Sequence, residues 1–238
     1  MIRSPKSDHP AWQLVRAPRS DIFSNMALDE VLWTAMAPDD PPIVCIHSIG
    51  EESVTLGFAQ TADELSAAGL AHLPWTRRLT GGGAIHHGDR TISFSVMGFG
   101  LTPDRRPGPV AAAFGELLSS LWKQLGLETR VVCCDEGSNR GVPLCADRLY
   151  PGDVMHGERK VAGIGQRHRR GKLLVQAALM GDRSPFAPGD PLPALREAVR
   201  ERFSADLAEV RITPEQRKVA DELKRARYLI DAWRLERK

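Results

Sequence analysis

Two stretches of this 238-residue chain combine residue types that do chemistry. The first is Arg77-Arg78-Leu79-Thr80-Gly81-Gly82-Gly83-Ala84-Ile85-His86-His87. Three consecutive glycines are costly to order, because glycine loses more conformational freedom on folding than any other residue. They make sense where the backbone takes positive φ or approaches a ligand closely. Their N–H groups can then cradle an anion or an acyl-phosphate, with Arg77 or Arg78 adding charge. The plainer alternative is a flexible turn beside two surface arginines; the Arg-Arg pair and His87 favour the ligand-facing reading. The second stretch is Gly157-Glu158-Arg159-Lys160-Val161-Ala162-Gly163-Ile164-Gly165-Gln166-Arg167. Lys160 precedes an apolar, glycine-spaced run, from which an ammonium can reach inward to polarise a carbonyl or neutralise a phosphate. Composition alone favours a solvated lysine beside Glu158 and Arg159.

The bulk properties narrow the classes. Lys+Arg at 32 against Asp+Glu at 30 leaves a net charge of +2, and aromatics are 6%. That argues against a nucleic-acid binder built on global charge or base stacking. Hydrophobic residues at 42% and charged residues at 26% suit an ordinary soluble domain. No run reaches the ~18 apolar residues of a membrane helix, and the N-terminus has no apolar signal core. The expectation is a cytoplasmic protein with no membrane partner. Cys45, Cys133, Cys134 and Cys145 match no zinc spacing and are too few for a disulfide scaffold. His47, His72, His156 and His168 are scattered and read as surface or satisfied core residues, so no metal site is expected.

Elements must position these residues. A strand is expected at Trp12–Arg16 after a loose arm over 1–20. Ser24–Met36 reads as a helix capped by Ser24 or Asn25, with Met26, Leu28, Val31 and Leu32 on its apolar face. Ile43–His47 and Ser53–Phe58 read as a hairpin about Gly50, Thr61–Ala71 as a helix, and Trp75–Leu79 as a strand entering the glycines. In Thr91–Phe99, Ile92, Phe94 and Val96 alternate with Ser93 and Ser95, a strand with one inward face. Val110–Leu125 is an amphipathic helix and Leu127–Cys134 a strand. The turn-rich stretch 135–152 is long enough to be a functional lid. A β-meander follows over 153–180, then a linker at 184–193 and two helices, Leu195–Phe203 and Pro214–Glu236. Hairpins mixed with helices favour an α+β fold over a doubly wound one.

RRLTGGGAIHH followed by GERKVAGIGQR resembles the lipoate–protein ligase A and octanoyltransferase (LipM-type) family, and Asn25-Met26-Ala27-Leu28-Asp29-Glu30 is similar to its first-helix signature. The three motifs keep the family's order and together span about residues 24 to 180. The resemblance implies the catalytic domain of biotin and lipoate ligases, class II synthetase-like: a mixed, mostly antiparallel sheet backed by helices. It implies one such domain over 1–238, with 194–238 as closing helices and no accessory domain. The biotin branch is disfavoured because its Gly-Arg-Gly-Arg signature is missing. By resemblance Gly81, Gly82 and Gly83 border the acyl tunnel, Arg77, Arg78 and His87 line it, and Lys160 contacts the acyl carbonyl. Gly163 allows close approach there, and Gln166 belongs to the same substrate-binding set. Gly88, Ile164-Gly165-Gln166 and Ala177-Ala178 depart from the ligase pattern.

The family holds two chemistries. Transferases take octanoate from acyl carrier protein onto a cysteine and pass it to a lysine of a lipoyl-domain protein, with no ATP. Ligases activate lipoate with ATP and Mg2+. Cys145, 15 residues before Lys160, stands where LipM-type transferases carry their nucleophile, and Asp153, seven before it, matches an acidic position of both branches. A thiolate needs nearby positive charge, which Lys160 can supply while stabilising the oxyanion. Transfer through Cys145 is therefore the leading expectation. Gly83 argues the other way, since ligases carry three glycines, and an ATP-dependent ligase is the alternative. A non-catalytic lipoyl-handling protein is the third. The basic run Arg167, Arg169, Arg170 and Lys172 is expected to help dock an acidic carrier, mainly by raising the association rate.

Overall fold

The computed structural model describes residues 9–88, 91–133, 149–180 and 190–235. Its centre is an eight-stranded sheet. The strands in spatial order are β11 (Asp206–Val210), β1 (Ala11–Arg16), β2 (Ile43–His47), β6 (Thr91–Phe99), β10 (Lys172–Met180), β9 (Arg159–Arg169), β8 (Val154–His156) and β7 (Arg130–Val131). β1 runs parallel to both its neighbours, and every other adjacent pair is antiparallel. A second sheet sets β3 (Ser53–Leu56) between β4 (Trp75–Arg77) and β5 (Ile85–His87). The expected α+β class with a mixed, mostly antiparallel sheet is what the chain adopts. No described helix is long and apolar enough to cross a membrane.

The large sheet is covered on both faces. Leu14, Val44, Val96 and Val175 pack under α3 (Pro107–Gln124) and α4 (Leu192–Phe203). Val15, Cys45, Met97 and Leu174 meet Leu28, Leu32 and Trp33 of α1 (Ile22–Ala35) on the other side. Ser93 and Ser95 therefore lie buried rather than on a wet face, which corrects the one-sided reading of β6. α1 is buried nearly all round, because Ile22, Met26, Ala27 and Val31 pack in turn against Ala220 and Tyr228 of the C-terminal segment. Its cap is Asp21, which accepts from the Ser24 amide at 2.8 Å, not Ser24 or Asn25.

Other expectations needed correction. Residues 43–58 are not a hairpin: Ser20 N–H donates to Ser48 O and Gly50 N–H to Ser20 O, which pins the connection beside β1 and sends β3 into the small sheet. α2 spans only Asp63–Ala67, ended by Gly69 at φ +70°. Among the described residues of the expected 127–134 strand, only Arg130–Val131 forms a strand, with Val132 continuing the backbone bonds to Gly152 and Asp153. β11 was unforeseen. The expected last helix is three pieces: α5 (Pro214–Leu223), a π-helical turn (Lys224–Tyr228) and α6 (Asp231–Leu235). Its carbonyls are drawn elsewhere, Tyr228 O by the Thr76 hydroxyl and Trp233 O and Arg234 O by Arg77.

Candidate active site

The two arginines before the glycines are interior. Arg77 is fully buried and donates to Gly57 O, Phe58 O, Gln60 O, Trp233 O and Arg234 O. It clamps the C-terminal segment onto the loop after β3 and does not line the pocket, which corrects its expected placement. Arg78 donates to Gly81 O at 2.6 Å, Gly83 O at 2.8 Å, Thr55 O and the Thr80 hydroxyl. It shapes the glycine loop from behind instead of facing the cavity. By holding carbonyls it fixes which way the peptide units between them turn. Gly82 sits at φ +97°, where a Cβ would also lie 2.8 Å from the Arg78 guanidinium. On the far side the loop abuts Gly165, whose added Cβ would come within 2.6 Å of Gly81 O and 2.7 Å of the Thr80 hydroxyl.

His87 is buried between the Thr55 hydroxyl at 2.9 Å and the Ser93 hydroxyl at 3.1 Å. Burial, with Arg78 as the next cause, lowers its pKa to about 3, so the ring is neutral. It too lies outside the pocket lining.

Lys160 is 2% exposed, which excludes the solvated-lysine alternative. Its Nζ donates to Asp153 Oδ2 at 2.6 Å, and the Tyr150 amide donates to the same oxygen at 2.7 Å. Burial pushes the Asp153 pKa up, and Lys160 opposes that rise without cancelling it. Asp153 Oδ1 is buried without a hydrogen-bond partner. It faces Gly163, where a Cβ would stand 3.2 Å from Oδ1, 3.1 Å from Lys160 Nζ and 2.9 Å from Lys160 Cε. Glycine at this position thus lets both members of the pair pack directly against the β9 backbone.

A cavity of about 440 Å³ opens beside this centre. Gly81 and Gly82 form one wall, and Ile164, Gly165 and Gln166 of β9 another. The first turns of α3 (Pro107, Gly108, Ala111) and the Tyr150-Pro151 turn close it, with Gln60 and Glu64 on the remaining side. Of the expected site residues, Gly81, Gly82 and Gln166 line the cavity, while Lys160 and Asp153 form the adjoining pair with Gly163 packed against it. Gly83 is turned toward Arg78. Cys145 and residues 135–148 of the expected lid over 135–152 lie outside the described residues. The wall from α3 was not foreseen; its double-glycine fit leaves a signal only in Gly115 and Gly152, whose Cβ positions clash across the helix–turn contact.

Some expected surface groups are engaged. Arg167 donates to Leu79 O at 2.9 Å and stacks 4.2 Å from the Phe58 ring, and Lys172 caps α1 through Thr34 O and Met36 O. Neither is spare for a carrier. Arg169 and Arg170 make no ion pair among the described residues, and Arg105 lies close enough to lower the His168 pKa, after burial. His47 is not isolated either: its donor atom, Cys45 Sγ and an Asp29 oxygen lie within 4.8 Å of one another. Asp29 Oδ1 accepts from His47 at 2.8 Å and Ser95 at 2.6 Å, and Oδ2 from Gln176 at 2.7 Å. A cation there would have to displace those bonds. Burial works against a charged His47, but Asp29 outweighs it and the ring's pKa is raised well above the usual value.

Sheet, helices and glycine loop together define a cofactor-ligase type of catalytic domain. A family model for the lipoyl protein ligase A/B catalytic domain matches residues 21–197. The octanoyltransferase LipM of Kyrpidia tusciae is 24% identical over 273 residues, covering 93% of this chain and 97% of that protein. Among solved structures, a lipoate-protein ligase A bound with ATP superposes with TM-score 0.76 at 22% identity, covering 94% of this chain and 98% of the other. A bi-partite lipoate protein ligase from Thermoplasma acidophilum, described with its E2 lipoyl domain, gives 0.74 at 22% identity, covering 97% and 99%. The chain belongs to the lipoyl protein ligase A/B catalytic domain family.

Proposed function

We propose that this enzyme transfers an octanoyl group from an acyl-carrier thioester to a specific lysine of a lipoyl-domain protein. The observation that carries the reading is the buried Lys160–Asp153 pair, with an unpartnered carboxylate oxygen against Gly163, beside a cavity walled by the glycine loop. The acyl chain lies in that cavity, bounded by Ile164, Ala111 and Pro107, with its carbonyl toward Lys160. The Cys145 thiolate attacks the carbonyl carbon, the C–S bond to the carrier breaks, and the carrier thiolate leaves. The acceptor lysine amine then attacks the Cys145 thioester, an amide bond forms, and the cysteine thiolate departs. Lys160 stabilises the negative charge on the carbonyl oxygen in both steps. Asp153 Oδ1, made more basic by burial, takes the proton from the amine.

ATP and Mg2+ suit this site less well. Arg77, Arg78 and Lys160 are each engaged by protein oxygens, and Glu64 places a carboxylate in the cavity wall. That donor set fits an uncharged acyl thioester better than a triphosphate. Gly83 is the feature that favours a ligase, and the test includes that arm. For the carrier, the docking surface is Arg105, Arg169 and Arg170, at the end of β9 beyond Gln166.

Purified protein is incubated with apo lipoyl domain and either octanoyl-carrier protein or lipoate plus ATP and Mg2+, and modified lysine is read by intact mass. ATP-free octanoylation lost in Cys145→Ala supports the transferase. ATP-dependent lipoylation that survives Cys145→Ala overturns it, and no product in either arm supports a lipoyl-handling protein.

A further inference from the structure

A fully buried chain of side-chain hydrogen bonds runs from the first-helix motif to the glycine loop. Asp29 of α1 accepts from His47 of β2 and Ser95 of β6 on one oxygen and from Gln176 Nε2 of β10 on the other. Gln176 Oε1 then accepts from the Thr80 hydroxyl at 2.8 Å, and that oxygen accepts in turn from Arg78 Nε at 3.2 Å. Gln176 thus uses its acceptor toward the loop and its donor toward a fixed carboxylate. An amide does both at once, whereas a carboxylate would repel Asp29 and an apolar side chain would leave two polar groups buried and unpaired. Thr80 is the residue immediately before Gly81, and Gly165 stops the loop from the other side.

We propose that Gln176 is the positioning residue for the glycine loop: anchored on Asp29, it fixes Thr80 and so sets where Gly81 and Gly82 stand as the wall of the acyl cavity. Gln176 does not itself line the cavity; its backbone pairs with Gly165 of the wall, and its side chain reaches the site through Thr80 and the loop. Misplacement of about 1 Å at a reacting centre can cost about 10²-fold in rate, which makes such an anchor consequential. The activity arm rests on the transferase reading above; the exchange arm does not.

The variants are Gln176→Met, Thr80→Val, their combination, Thr80→Ser as the conservative rescue, and Ser95→Ala as a control that weakens Asp29 without cutting the path to the loop. Amide hydrogen exchange is followed over residues 77–87, with thermal melts and octanoyl transfer kinetics alongside. Gln176→Met and Thr80→Val are expected each to speed exchange at 80–83 about tenfold and to lower kcat/KM about tenfold or more. The double variant should be no worse than the worse single one, because both cut the same link. Thr80→Ser should retain wild-type loop protection. Ser95→Ala should lower Tm without changing exchange at the loop. The proposal is overturned if the loop amides of Gln176→Met exchange at the wild-type rate, if the losses multiply in the double variant, or if Ser95→Ala loosens the loop equally. Failure of the wild type to transfer octanoate sinks the reaction reading alone, and the exchange result still decides for or against the anchor.

Discussion

Replacing Lys160 by methionine keeps most of the side-chain volume and removes the charge. Both members of the pair are about 1% exposed at the side chain, and Asp153 Oδ1 already lacks a partner. In Lys160→Met the carboxylate therefore keeps only the Tyr150 amide at 2.7 Å. Breaking a buried pair by removing one partner typically costs about 3–5 kcal/mol. For a chain of this size each kcal/mol moves Tm by about 2–4 °C, so the variant should melt about 6–20 °C below wild type at pH 8. The pH dependence has a definite sign. With Lys160 gone, the folded-state pKa of Asp153 rises further above the ordinary carboxylate value of about 3.9. A raised carboxyl pKa means stability that is present at low pH and lost as pH rises through the folded-state value. The gap to wild type should therefore narrow as pH falls from 8 toward 5. The double variant Lys160→Met/Asp153→Leu, which buries no charge, should recover most of the loss. Thermal melts by circular dichroism across that pH range measure all three. A Lys160→Met protein within about 2 °C of wild type at pH 8, with a gap that ignores pH, would refute the claim that this pair is buried and coupled.

Gly163→Ala should cut octanoyl transfer at least tenfold in a single-turnover assay with only a small Tm change, because the new Cβ meets Lys160 and Asp153 at 2.9–3.2 Å while the fold around them persists. Arg77→Met removes five hydrogen bonds to carbonyls and should free the last turns of the chain, seen as early tryptic cleavage after Arg225 or Arg227. Arg77→Lys should fall between the two, since it keeps the charge and loses the fork. His47 carries a raised pKa from Asp29, so its contribution is complete below about 6.5 and is lost as pH climbs through the folded-state value. The Tm advantage of wild type over His47→Gln should shrink on the alkaline side. His87 has the opposite sign: its pKa of about 3 makes acid unfavourable to the fold, and His87→Gln should flatten the loss of Tm below about pH 6.5.

Strongly patterned elements were readable from the chain. α3 shows a clean amphipathic stripe, β6 and β10 are long β-rich runs, and the two motifs fold onto adjoining walls of one cavity. Long-range pairing was not readable. Nothing local tells Ser53–Leu56 to leave β2, because the instruction is a hydrogen-bond exchange with Ser20, more than thirty residues away. β11 carries little apolar signal, since only Leu207 of its five residues is buried and it relies on backbone pairing with β1. The arginines were misplaced for a similar reason. A guanidinium next to glycines reads as a ligand contact, and only the folded chain reveals that its partners are carbonyls. Gln176 did leave a trace, as the one polar residue inside the apolar run Leu173–Met180, which is the signature of a buried network.

The pairing of β1 with β11 has a kinetic consequence. Ala11 meets Asp206 and Val15 meets Val210, so one edge of the sheet is formed by strands about 195 residues apart in sequence. Contacts of such separation add little to the equilibrium loop entropy but slow folding markedly. The hairpins of β8, β9 and β10 lie close in sequence and can assemble first, whereas β1 gains its last neighbour only when β11 arrives. Until Asp206–Val210 arrives, that edge offers unpaired backbone groups to any other strand. Slow refolding and a concentration-dependent loss of yield are therefore expected of this topology, and they should worsen when β11 carries a proline at Ala208.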